Sequence, residues 1–214
     1  MTTYGEYLAQ AVAGRVLVVG DSNTVFDARQ LVEASQHYGA ATGSVLLLEF
    51  GACVPGIGLR DLAALESRID ACQPASYDAA VVNLGVGDLI LEDANWPGFF
   101  AGPPSYATRI HDVLDALDPL PVYWIGAPSG LNSPPCHPWE IAGVDLTLAG
   151  FDEDYSAYAS YAAPYGASAR MHYCNPDTAI GTLSPRFLDG LHYAPAAATA
   201  LYAAVFARIV ADLG

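Results

Sequence analysis

The sequence predicts an α/β domain built on about five parallel strands with helices on both faces. Two observations carry that prediction. Short apolar runs rich in β-branched residues alternate along the whole chain with stretches whose apolar residues recur at helical spacing. The strand-like runs are apolar throughout instead of alternating. Such strands are buried on both faces, the condition of a parallel sheet joined by right-handed crossovers. No linker, repeat or low-complexity boundary interrupts the pattern, so 1–214 reads as a single domain.

The elements follow in order. Residues 15–20 (RVLVVG) form a strand ending at glycine, and 24–37 a helix of mixed character. Residues 44–50 (SVLLLEF) are the second strand. Leu59, Leu62, Leu65 and Ile69 then mark a helix over 59–72. The third strand is 78–84 (DAAVVNL). Tyr106, Ile110, Val113, Leu114 and Leu117 mark a helix that Pro119 ends. The fourth strand is 122–125 (VYWI), a tyrosine-rich helix covers 152–163, and 169–173 is the fifth strand. Pro195 suits the first turn of a C-terminal helix whose apolar face runs from Leu201 through Phe206 to Val210. Two longer irregular stretches, 92–104 and 126–149, follow strand C-termini, where open α/β sheets bind ligands.

Charge narrows the function. The chain carries a formal net charge of −15, and its eight cations are all arginines. That disfavours nucleic acid, whose binding needs phosphate-neutralising cations, and anionic membrane surfaces. A neutral or cationic substrate is repelled less than an anionic one. No apolar run reaches the roughly 18 residues expected of a membrane span. Residues 1–15 show neither a basic n-region nor a long apolar h-region, so a cytoplasmic protein is expected, with secretion left open for a processed chain.

Cys53, Cys72, Cys136 and Cys174 permit two disulfides without establishing them. Cys136-His137 and His172-Tyr173-Cys174 have zinc-ligand types but not CxxC spacing, so no metal and no cofactor is expected.

Two short motifs carry the chemistry. Gly20-Asp21-Ser22-Asn23-Thr24 puts a serine between the first strand and a helix, where a backbone N–H can stabilise an oxyanion. The competing reading of Ser22 is a helix N-cap. Asp189-Gly190-Leu191-His192 puts a carboxylate and an imidazole three residues apart, so one turn can join them. The carboxylate can then hold Nδ1 and leave Nε2 for a serine hydroxyl. Here the competing reading is a turn residue and a surface histidine. The phosphate-binding patterns GxGxxG and GxxxxGK[ST] and the nucleophile elbow GxSxG are not met, which argues against dinucleotide, P-loop and α/β-hydrolase readings.

Taken in order, Gly20-Asp21-Ser22, the glycine block Pro55-Gly56-Ile57-Gly58, Gly85-Val86-Gly87-Asp88 and Asp189-Gly190-Leu191-His192 resemble the GDSL, or SGNH, hydrolase family across essentially the whole domain. The resemblance implies a flavodoxin-like three-layer α/β/α fold and a serine esterase, lipase or acyltransferase. It implies Ser22 as nucleophile, His192 as general base and then acid, and Asp189 as its orienting carboxylate. The oxyanion-hole positions it implies are Ser22, Gly56 (with Gly58 the alternative) and Gly87. The last is a departure. The family pattern there is Gly-x-Asn-Asp, and the donor asparagine is replaced by Gly87. Asn23, Asn83 and Asn132 are the candidates to replace it.

Asp21 and Asn23 flank the nucleophile, and Trp96, Phe100 and Trp139 lie on the irregular stretches, so these five are the expected pocket residues. The expected activity is cleavage of short acyl esters, O-acetyl groups on carbohydrate included. The alternatives are transfer to an alcohol acceptor, or a non-catalytic glycan- or acyl-binding domain that keeps the fold.

Overall fold

The structure is a computed structural model that describes residues 11–42, 44–55, 57–85, 106–126, 128, 171–189 and 191–214. Five strands form one sheet: β1 (Ala11–Gly20), β2 (Ser44–Cys53), β3 (Ala79–Asn83), β4 (Val122–Ile125) and β5 (Met171–Cys174), in the order β2-β1-β3-β4-β5. Every neighbouring pair is parallel. β1 has β2 on one side and β3 on the other, so the winding reverses at β1. The C-terminal end of β1 is therefore the topological switch point, where such sheets bind ligands.

The helices are α1 (Ser22–Phe26), α2 (Ala28–Thr42), α3 (Leu62–Cys72, preceded by a 3-10 turn Leu59–Asp61), α4 (Tyr106–Ala116), α5 (Pro176–Ile180) and α6 (Pro195–Leu213). α2 and α5 pack along α6, and α3 packs along α4, giving a helical layer on each side of the sheet. The sheet's central segments are sealed: Val16 to Val19, Ala79 to Val82 and Val122 to Ile125 are all 0 % exposed. Each valine, leucine or isoleucine among them contributes roughly 1.5–3 kcal/mol on removal from water.

The chain departs from its sequence reading at several ends. β1 begins at Ala11 because its first turns pair with β2 alone, and Val12 there is exposed, so that segment does not read as a buried run. β2 continues to Cys53 because Ala52 and Cys53 pair with Val19 and Gly20. The first helix is two helices, α1 and α2, separated at Asp27, which caps α1 through its N–H to the Asn23 carbonyl. α5 was not anticipated, although Asn175-Pro176-Asp177 is a helix start: the Asn175 side chain accepts from the Asp177 N–H. The helix expected over 152–163 lies outside the described residues.

α6 is long and apolar enough to cross a membrane by length and composition, with a mean hydropathy of 1.5 over its window. Its alanines supply that hydropathy without forming an obvious run of large side chains. In the fold it is a core helix whose Leu201, Tyr202, Val205, Phe206 and Ile209 are buried. Cys53, Cys72 and Cys174 are free thiols. Burial pushes the Cys53 thiol up to about 12 and Cys174 up to about 11, so neither is a thiolate at neutral pH. Cys136 lies outside the described residues.

Candidate active site

The first motif is built by close packing at the end of β1. A Cβ on Gly20 would lie 2.0 Å from Thr24 Oγ1, so only glycine lets α1 fold back over the strand end. The Asp21 N–H reaches the Asn83 carbonyl at the end of β3 (3.4 Å). Asp21 is the N-cap of α1, its carboxylate accepting the Asn23 N–H at 2.9 Å. The cap position is thus Asp21, and Ser22 is the first helical residue, half-buried, with its hydroxyl not committed to capping. Asn23 and Thr24 are buried behind it.

The second motif is a tight antiparallel hairpin. Phe187 bridges Tyr193, their rings stack, the Leu188 N–H donates to the His192 carbonyl at 2.8 Å, and Arg186 ties the base to α5 through Asp177. At the tip, Asp189 Oδ1 accepts the N–H groups of Leu191 (3.0 Å) and His192 (2.8 Å). Its Oδ2 lies 2.6 Å from His192 Nδ1. One carboxylate therefore fixes both the backbone and the ring of His192. Burial raises the Asp189 carboxyl, but the His192 ring bond and the two N–H bonds outweigh it and hold the group below its ordinary value. With Nδ1 occupied, the ring offers Nε2, which is buried and has no hydrogen-bond partner among the described residues.

The two motifs meet through Phe26. It stands four residues beyond Ser22, one turn along the same face of α1, and its ring centroid is 4.4 Å from that of His192. The imidazole thus packs against the α1 face that begins with Ser22.

The remaining expected site residues divide. Asp21 and Asn23 are 4 % and 1 % exposed at the start of α1. Of the substitutes for the asparagine that Gly87 replaces, Asn83 is committed elsewhere: its side-chain amide donates to the Tyr202 hydroxyl (3.1 Å), toward α6. Gly56, Gly87, Trp96, Phe100, Asn132 and Trp139 lie outside the described residues.

Sequence reasoning missed Asp27 and Phe26. Asp27 is 3 % exposed, accepts from the Tyr202 hydroxyl (3.4 Å), and is pushed up to about 7 by burial, with the Tyr202 bond lowering it and the Asp21 charge raising it. The legible signal was an aspartate inside a predicted helix, a residue that favours caps and turns. Phe26 was legible as the residue one turn from the candidate nucleophile.

The arrangement defines a three-layer α/β/α domain with a carboxylate–imidazole pair beside the switch point, the fold expected of the GDSL/SGNH resemblance. Solved structures share that fold. The TesA structure matches with a TM-score of 0.63 at 18 % identity, over 94 % of this chain and 99 % of that one. The lipase/acylhydrolase from Enterococcus faecalis matches at 0.62 and 18 %, over 92 % and 96 %. A carbohydrate acetylesterase family member from Sinorhizobium meliloti matches at 0.62 and 15 %, over 92 % and 99 %. No protein-family model and no curated protein matches the sequence.

Proposed function

We propose that this chain is a serine ester hydrolase of the GDSL/SGNH type that cleaves short acyl esters, O-acetyl groups on carbohydrate included. The observation that carries this reading is the 2.6 Å Asp189–His192 pair with its buried, unpartnered Nε2, packed through Phe26 on the helix that Ser22 begins. In this reading His192 Nε2 takes the hydroxyl proton as Ser22 Oγ attacks the ester carbon. The Ser22 N–H, one of those a helix start leaves unsatisfied, and the Gly56 N–H donate hydrogen bonds to the developing oxyanion. His192 returns the proton to the departing alcohol oxygen as its bond to carbon breaks, leaving an acyl ester on Ser22. Water, deprotonated by His192, then releases the acid and restores the serine.

The carbohydrate acetylesterase family member from Sinorhizobium meliloti, which shares this fold, supports an acetyl-type substrate. So does the acidic surface, which repels an uncharged ester less than an anionic one. Gly87 is the observation that favours the second reading, a binding domain: loss of one oxyanion donor typically costs about 10²–10³ in turnover.

The test is hydrolysis of p-nitrophenyl esters from acetyl to octanoyl by wild type and Ser22→Ala. Turnover that falls to background in the variant upholds the esterase, and the best chain length sizes the acyl pocket. Equal rates in both proteins overturn it.

A further inference from the structure

A pocket of about 320 Å³ opens beside the Asp189–His192 pair. Phe26 of α1, Asp27 between the two helices and Gln30 of α2 form one wall, and Leu188, Asp189 and His192 of the hairpin form the other. The hydrolysis proposed above dictates what belongs there. The leaving oxygen takes its proton from His192 Nε2, so the alcohol part of the ester lies on the imidazole side.

The chemistry of the walls is one-sided. Two carboxylates line the pocket, and among the described residues that line it none is a lysine or an arginine. Phe26 and Leu188, 66 % and 67 % exposed, present apolar surface at its rim. Asp27 is almost fully buried, and the described groups that act on it are the Tyr202 hydroxyl and the Asp21 carboxylate, neither of them a cation. A carboxyl buried without a countercharge favours its neutral form, as the rise of Asp27 to about 7 reflects. A cationic guest would supply the missing charge, and an aromatic face beside a carboxylate is the standard receptor for alkylated ammonium groups.

We infer that this pocket receives the alcohol part of the substrate and selects an alcohol carrying a positive charge within an apolar shell, such as a quaternary ammonium; the assignment rests on the serine-esterase reading. An anionic alcohol meets two carboxylates and is rejected. A neutral alcohol fits but gains nothing from Asp27.

Acetylcholine and 3,3-dimethylbutyl acetate test this cleanly, being matched in shape and differing in N⁺ against C. At about pH 8, where Asp27 is available as a carboxylate, wild type should favour the cationic ester by about tenfold or more in kcat/KM. The preference should fall to about threefold or less in Asp27→Asn and in Phe26→Ala. Phe26 is exposed, so its variant keeps the fold even where Asp27→Asn does not. Hydrolysis of both esters with no preference for the cation overturns the inference. Binding of tetramethylammonium, followed by calorimetry, separates the two claims. Binding that weakens in Phe26→Ala without turnover of either ester would uphold the cation site and sink the esterase reading. Absence of binding together with absence of turnover would overturn the site as well.

Discussion

Replacing Asp27 by asparagine should reverse part of the chain's pH-dependent stability. The Asp27 carboxyl is raised from 3.8 to about 7 in the folded chain, chiefly by burial. Between those values the folded chain holds a proton that the unfolded chain has released, so stability falls as pH rises. At about 1.4 kcal/mol per pKa unit, the loss is on the order of 4 kcal/mol across the whole window and about 2.5 kcal/mol between pH 5 and pH 8. Above about 7 both states are ionised and the effect is complete. The substituted amide stays neutral throughout, and its oxygen can still accept from Tyr202. Other titrating groups are common to both proteins and cancel to first order, Asp21 excepted because its charge acts on Asp27. Urea unfolding at intervals from pH 5 to pH 8 would measure the gap. The variant should gain on wild type by about 2.5 kcal/mol as pH rises. A gap that stays flat would mean that Asp27 is solvated and titrates as an ordinary carboxylate, and the burial argument would fail with it.

Ser22→Ala should cut p-nitrophenyl acetate turnover by at least about 10³-fold, with little change in melting temperature because Ser22 is outside the core. Asp189→Asn should slow the same assay by about 10³-fold or more, since the amide favours the wrong imidazole tautomer. The depressed Asp189 carboxyl stabilises the fold above its ordinary value of 3.8 and loses that contribution as pH falls through its lower folded value, so wild type should unfold in acid more steeply than this variant. Gly20→Ala should cost about 1–3 kcal/mol or more in urea unfolding, because its Cβ meets Thr24 at 2.0 Å and α1 must shift. Leu201→Ala should cost about 2–5 kcal/mol by the same measurement, as a cavity in a sealed core does. No loss there would mean that Leu201 is not packed in the core.

Most of the sheet was legible because a strand buried on both faces advertises itself as an unbroken apolar run. Val122 to Ile125 reads so and forms β4 with those bounds. The edges were harder. Val12 sits on a part of β1 that has a neighbour on one side only, and Gly14-Arg15 separates its apolar residues from the buried run that follows. The Asp189–His192 spacing was legible because a three-residue loop can be judged from sequence alone. What lay beyond reach was contact across the chain. Phe26 on His192 joins residues 166 positions apart, and Asp27, Tyr202 and Asn83 meet from three separate elements. A local pattern does not encode such meetings. They follow once α6 lies over α2.

The same contacts narrow the question left by Gly87. Three asparagines were candidates to replace its missing donor, and Asn83 is spent on Tyr202. Among described residues that leaves Asn23, next to Ser22, 1 % exposed, with a side-chain oxygen that has no hydrogen-bond partner among those residues. An amide not anchored through its oxygen can be aimed by its nitrogen at little cost, whereas a structural asparagine uses both ends. Asn23→Ala should therefore lower kcat by about 10²-fold with KM nearly unchanged, the signature of a donor that acts on the transition state alone. Asn23→Asp, which keeps the shape but loses the donor, should do at least as much harm. An Asn23→Ala enzyme with full kcat would reduce the oxyanion hole to its two backbone donors. The burial of Asn23 would then belong to the packing of α1 over the end of β1.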